Sequence, residues 1–354
     1  MTLSLLALTR HCELGASSRQ RILIYRAALE QAGFAVTVVP FFDHDYLVAR
    51  YASGSLWGSA LRAFLRFGGR PRLAREFDLV LIEKEVAPWL PGWIDRATLG
   101  GVPYVLDYDD AWFLRYREHG SAIVRATMGR KLEGLARRSA LTIAGNDYLA
   151  RWANDSGARS VLTIPTVVDC AHYPVRPEPA EPFTVGWVGT PLTAKYVDSI
   201  AGPLRSFCRD YGARLMLVGA NEPCGNGLPC ISVPWHRSDE AENLARCHVG
   251  IMPLADDEWS RGKCGYKLIQ YMACGRPVIA SAVGVNPSIV EHGRSGFLVH
   301  TPEEWYRALV TLHDDPGLRR TMGAAGRRRV EQTYCTEATI GSLIAGLRAA
   351  AGRS

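Results

Sequence analysis

The chain predicts two successive α/β units, each a doubly wound parallel sheet with helices on both faces. Three observations carry this. Short apolar runs alternate with amphipathic helical stretches along most of the sequence. A proline-rich stretch at 173–182, YPVRPEPAEP, interrupts the alternation, which then restarts. The length of 354 residues also exceeds what a single hydrophobic core usually serves.

In the first half, Leu3–Leu8 reads as a strand and Ser18–Ala32 as an amphipathic helix that Gly33 ends. Ala35–Pro40 is a second strand, Arg62–Arg75 a helix, and Leu79–Glu83 and Val102–Asp107 are further strands. Helix Lys131–Ser139, strand Leu141–Ala144, helix Tyr148–Asn154 and strand Val161–Ile164 complete the unit. The second half reads as strand Thr184–Val188, helix Val197–Tyr211, and strands Arg214–Val218 and Ile231–Val233. Helix Ser238–Arg246, strand Val249–Leu254, helix Tyr266–Ala273 and strand Pro277–Ala280 follow, then helices Glu303–His313 and Pro316–Thr333. The boundaries are 1–172 for the first unit, 173–182 for a linker and 183–333 for the second unit.

Composition narrows the class. With 47% hydrophobic and 21% charged residues the chain is ordinary for a globular protein. The apolar start, Thr2–Leu8, has no basic run before it and is followed by His11, Cys12 and Glu13, so it reads as a buried strand rather than a leader. Nine cysteines occur without a CxxC pair, and Cys224 and Cys230 lack a histidine at metal spacing. Scattered thiols of this kind suit a reduced, cytoplasmic setting. The net charge of +6 is mild, and no nucleic-acid motif accompanies it.

The segment Gly250–Val299 is the most informative. A strand, a loop rich in Gly and Lys, a helix, Gly275-x-Pro277 and a second strand form an anion-binding βαβ unit. The loop exposes backbone N–H groups, the helix start adds partial positive charge, and Lys263 and Lys267 add full charges. A diphosphate fits that chemistry best. Lys263 and Lys267 lie four apart, which also suits a solvated basic face.

Several motifs, taken in order, resemble the glycosyltransferases of the GT-B fold, specifically the large GT-4 family. Gly15-Ala16-Ser17-Ser18-Arg19 is similar to the family's first glycine loop. Ile164–Asp169 is similar to its entry to the second domain, and Gly186–Thr190 with Lys195 to its donor loop. Arg261–Cys264, Gln270–Ala273, Gly275-x-Pro277 and Gly284–Val299 are similar to its second-domain signatures. The resemblance implies two Rossmann-like domains facing across a cleft, with the closing segment 334–354 returning to the first. It implies a glycosyltransferase of hexosyltransferase type, moving sugar from a nucleotide-diphosphate sugar to an acceptor hydroxyl. Transfer would be retaining and metal-independent, with no cofactor beyond the nucleotide sugar. Such activity serves glycan, glycolipid or glycosylated natural-product synthesis, and the acceptor would be a carbohydrate, a lipid-linked sugar or a small molecule. A nucleotide-sugar epimerase and a non-catalytic binding module of the same fold are the alternatives.

On this resemblance Gly15, Gly189, Thr190, Lys195, Trp235, Lys263, Lys267 and Gln270 are donor-binding candidates. Lys195, Lys263 and Asp109 are the catalytic candidates, and no metal ligands are assigned. The sequence departs from the family pattern at four places. Gly262 and Gln270 stand where the family carries two acids, Thr190 where it carries an arginine, and Ser288 where it carries a glutamate. Gln270 retains hydrogen-bonding capacity without charge.

His11, Asp107, Asp109 and Asp110 are acceptor-side candidates, because acids at a strand's carboxyl end suit hydroxyl groups. Helix capping or a metal site are other uses of the LDYDDAW run. Residues 46–75 carry Arg50, Arg62, Arg66, Arg70, Arg72 and Arg75, with Leu56, Trp57, Ala60, Leu61, Phe64 and Leu65 on one helical face. The stretch Leu56–Arg75 is either a contact with the inner membrane face or a helix that buries its apolar stripe.

Overall fold

The computed structural model describes residues 2–51, 54, 56–68, 73–220 and 228–352. Arg70, Arg72 and Cys224 lie outside the described residues. The chain divides into two compact units, 1–166 with 339–354, and 167–338. The stretch 173–182 therefore falls within the second unit.

The first unit is built on a six-stranded parallel sheet. Its strands are β1 (Leu3–His11), β2 (Phe34–Phe42), β3 (Leu79–Glu83), β4 (Tyr104–Tyr108), β5 (Leu141–Ala144) and β6 (Val161–Thr163). The order is β2-β1-β3-β4-β5-β6. β3 and β4 are buried at every position, as strands covered on both faces must be. The expected helix Ser18–Ala32 is broken into Ala16–Arg21, a 3-10 turn Leu23–Tyr25, and Arg26–Gln31. Ile22 leaves helical geometry with φ −124° directly after Arg21, whose guanidinium turns inward to bind Asp107 and the Ile164 carbonyl. The predicted helix Arg62–Arg75 instead runs Trp57–Gly68, and a 3-10 turn Leu73–Glu76 comes later.

The second unit holds β7 (Thr184–Val188), β8 (Arg214–Val218), β9 (Cys230–Val233), β10 (Val249–Met252), β11 (Val278–Ser281) and β12 (Gly296–Val299). All pairings are parallel, in the order β12-β11-β10-β7-β8-β9. Numbered within the unit this is the doubly wound order with its direction change between β7 and β10. The helix Tyr266–Ala273 forms where the sequence places it, while Val197–Tyr211 is split into Pro191–Asp198 and Ala201–Tyr211 by a non-helical Ile200. Phe183, Trp187 and Phe207 are fully buried in one core layer. Each such side chain contributes about 1.5–3 kcal/mol by leaving water. On the opposite face Tyr271 lies flat against the sheet. A side chain at Gly250 would run into its ring, and one at Gly186 into Cys247 Sγ and the Tyr271 hydroxyl, so both strands need glycine there.

Candidate active site

In such sheets the carboxyl ends of the strands at the direction change, here β7 and β10, are the usual ligand position. The segment after β7 supplies Gly189, Thr190 and Lys195, and that after β10 supplies Lys263 and Lys267. Gly189 is required by close approach: a Cβ would sit 2.5 Å from the Trp187 ring and 2.8 Å from Thr193 Oγ1. Thr190 donates its N–H to Thr193 Oγ1 at 3.1 Å and opens the helix Pro191–Asp198. Lys195 and Lys263 are brought together, each with its ammonium 5.5 Å from the Tyr196 ring centroid. Lys263 also stands 5.8 Å from the Trp259 ring. Lys267 lies over Trp187 at 5.3 Å. Burial first, and the neighbouring Lys263 second, push its pKa down to about 7. Neither Lys195 nor Lys267 forms an ion pair among the described residues.

Gln270 and Trp235 belong to one buried network. Gln270 Nε2 donates to Tyr173 Oη at 3.0 Å, and Tyr173 donates to Glu240 Oε2 at 2.8 Å. Trp235 Nε1 donates to Glu240 Oε1 at 2.6 Å, and the Tyr266 hydroxyl lies 3.2 Å from that of Tyr173. Tyr173 and Glu240 escaped the sequence reading. Tyr173 lies in a proline-rich stretch that looks like a linker, and Glu240 heads an ordinary surface-like helix.

The first unit also concentrates charge at the carboxyl edge of its sheet, where β1, β3 and β4 end. Gly15 lies after β1, its N–H bonded to the Cys12 carbonyl at 2.9 Å, and precedes the helix Ala16–Arg21. Asp107 is clamped by Arg21 through two bonds of 2.9 Å. Asp109 and Asp110 both face the Lys84 ammonium, at 2.9 and 3.2 Å. Lys84 holds a left-handed backbone, φ 65°, which is uncommon outside glycine and accumulates near functional sites. Burial would lower its pKa, but Asp109, Asp110 and Glu83 outweigh that and raise it. Glu85 accepts from Arg10, Lys131, Trp112 and Tyr116. Burial opposes its charge, yet Lys131 and Arg10 hold its pKa low. Glu83 has the opposite outcome: burial dominates and raises its pKa despite Lys84. Its Oε1 has no partner among the described residues, nor does His11 Nδ1. Burial, with Arg10 and Lys84, drives the His11 pKa down to about 2, so its imidazole is neutral.

His11 and the three aspartates lie at this edge as their positions after strands predict, and Lys84, Glu85, Arg10 and Lys131 join them there. The signal was available in IEKE, where three charges follow directly on an apolar buried strand.

The apolar stripe around residue 60 is divided by the structure. Leu56 and Ala60 pack beside Phe42, Tyr46 and Leu47, and Phe64 meets Phe41 edge-on at 5.2 Å. Trp57, Leu61 and Leu65 face outward, 86%, 61% and 67% exposed. No described helix is long and apolar enough to cross a membrane.

Two doubly wound parallel sheets are the fold that the comparisons with solved structures find as well. Residues 183–315 match the family profile "Glycosyl transferases group 1". The fold matches sucrose-phosphate synthase from Thermosynechococcus elongatus with a TM-score of 0.69 at 16% identity, over 98% of this chain and all of the other. It matches Anabaena HepE, solved with UDP and glucose, with a TM-score of 0.68 at 19% identity, over 97% and 98% of the two chains. The family match falls within the second unit. Among curated relatives, D-inositol 3-phosphate glycosyltransferase of Streptomyces bingchenggensis is 41% identical over 101 residues, which is 28% of this chain and 21% of that protein. The enzyme of the same name from Streptomyces avermitilis is 44% identical over 100 residues, 28% and 20% of the two chains. The chain thus matches about a fifth of the length of these relatives.

Proposed function

We infer that this protein transfers a sugar from a nucleotide-diphosphate sugar to an acceptor hydroxyl. The observation that carries this is the pair Lys195 and Lys263 held at one Tyr196 ring beside Lys267, at the direction change of the second sheet. Breaking the bond between an anomeric carbon and a diphosphate builds negative charge on the leaving phosphate. Pre-placed ammonium groups stabilise that charge as it develops. Binding the diphosphate also favours the protonated form of Lys267, which burial disfavours. The solved relative with UDP-glucose bound supports a UDP-sugar donor here. Retention and metal independence follow the family resemblance.

The first unit supplies the acceptor side. Its carboxylates are mostly held by cations, which leaves a hydrogen-bonding rather than a strongly charged edge. Asp109 and Asp110, partly exposed beside Lys84, offer carboxylate oxygens to a sugar hydroxyl. Outward Trp57, Leu61 and Leu65, beside Arg62 and Arg66, favour an acceptor held at a membrane surface. Flotation with anionic vesicles should be lost in Trp57→Glu, and unchanged binding would remove the membrane contact.

The decisive assay is product formation from UDP-, GDP- and dTDP-sugars with carbohydrate and lipid-linked acceptors. Turnover with a UDP-sugar is expected. Binding of every donor without turnover would instead identify a non-catalytic module.

A further inference from the structure

We propose that an arginine-lined pocket at the other end of the second sheet binds a small phosphate-bearing anion, at a site separate from the lysine crevice. The pocket has a volume of 510 Å³, within the range of ligand pockets, roughly 300–1,000 Å³. Arg276 and Pro277 line it and immediately precede β11, so it opens at the amino-terminal edge of a parallel sheet. Lys195 and Lys263 follow β7 and β10, at the carboxyl edge. The two sites are therefore at opposite strand ends.

Six arginines, at 176, 276, 319, 320, 327 and 328, line the pocket against one carboxylate, Glu178. Arg276 is fixed by neutral partners, its Nη2 donating to the Pro177 and Ala245 carbonyls, both at 2.7 Å. Arg327 Nη1 donates to the Ala273 carbonyl at 2.6 Å while its Nε pairs with Glu331 at 2.7 Å, and Arg319 Nη1 donates to the His313 carbonyl at 2.8 Å. Carbonyls orient a guanidinium without cancelling its charge. Glu178 is taken by Arg319 at 2.5 Å and stands 3.7 Å from Arg320. Arg276 is 3% exposed, and its Nε has no hydrogen-bond partner among the described residues. Exposed Arg176 and Arg328 form neither hydrogen bond nor ion pair among the described residues.

A buried guanidinium with an unused donor is costly unless an anion completes it. Phosphate oxygens accept the forked N–H pairs of arginine better than chloride or a single carbonyl can. The same chemistry is offered by a free phosphorylated metabolite and by an acidic lipid headgroup. The helix Tyr266–Ala273 starts at the lysine crevice and ends at the carbonyl that Arg327 holds, so a rigid element joins the two sites.

The test uses the full chain with tripolyphosphate as soluble probe in calorimetry. In parallel it uses flotation with phosphatidylcholine vesicles, with and without phosphatidic acid. The double variant Arg176→Glu/Arg328→Glu changes only exposed, unpaired side chains and should fold normally. Its affinity for tripolyphosphate should fall roughly tenfold or more, with UDP binding unchanged. In Lys263→Ala the arginine-dependent binding should persist. Loss of soluble-anion affinity alone identifies a free metabolite, and loss of vesicle binding alone identifies a lipid headgroup. Binding that is insensitive to the double variant in both arms, or that disappears with Lys263→Ala, overturns the proposal.

Discussion

The two sheets have the same architecture, and both gather charge at the carboxyl edge, yet they use it in opposite ways. In the first unit each cation meets carboxylates: Arg21 with Asp107, Lys84 with Asp109 and Asp110, Lys131 and Arg10 with Glu85. In the second, Lys195 and Lys267 have no ion pair among the described residues, and Lys267 titrates low because of burial and Lys263. One edge is internally balanced, and the other leaves Lys195 and Lys267 without a carboxylate partner among the described residues. Charge therefore distinguishes the two halves where topology does not.

The largest effect should come from unbalancing the first edge. Lys84→Met leaves two buried carboxylates facing each other, and should destabilise the protein by about 3–5 kcal/mol. Denaturant unfolding checks this, and a smaller change would mean that the edge is less closed than its geometry implies. In the second unit, Lys263→Ala should instead leave stability intact and lower kcat by about 10²–10³-fold, measured with a UDP-sugar. A variant that unfolds would blur the contrast.

Lys267 offers a subtler test. Its folded pKa, about 7, is below the unfolded value, so the folded state binds fewer protons between the two. Stability should rise with pH from about 7 to about 10.4, and Lys267→Met should flatten that rise. UDP binding in the same window should take up close to one proton, read from calorimetry in buffers of different ionisation enthalpy. Absence of uptake would show that Lys267 does not meet the diphosphate.

The smallest effect separates two neighbours on one strand end. Burial keeps the Glu83 carboxyl protonated toward higher pH, whereas Lys131 and Arg10 keep Glu85 ionised. Glu83→Gln should cost under about 1 kcal/mol near neutral pH, and Glu85→Gln clearly more, because it strands two cations. Equal costs would remove the distinction.

Much of this was legible in the sequence. The alternation of apolar strands and helices predicted both sheets, and Tyr266–Ala273 and Pro316–Thr333 form at the predicted residues. Lys195 and Lys263 were legible because glycine loops after strands have a local pattern. Gln270 was harder, since its partner Tyr173 is 97 residues away and only the fold brings them together. Lys84 was missed because a charge after a strand resembles an ordinary loop until the neighbouring strand end supplies Asp109 and Asp110. The break at Ile22 was invisible for the same reason: Arg21 turns inward toward a residue 86 positions later.

The seat of Tyr271 has an evolutionary consequence. Its ring occupies the space that a side chain at Gly250 on β10 would fill, so positions 250 and 271 form a single inherited unit. A relative with alanine at 250 should carry a smaller residue at 271. Gly250→Ala alone should be poorly tolerated, while pairing it with Tyr271→Leu should restore folding. A drift that replaces one of the two is therefore expected to pass through the other.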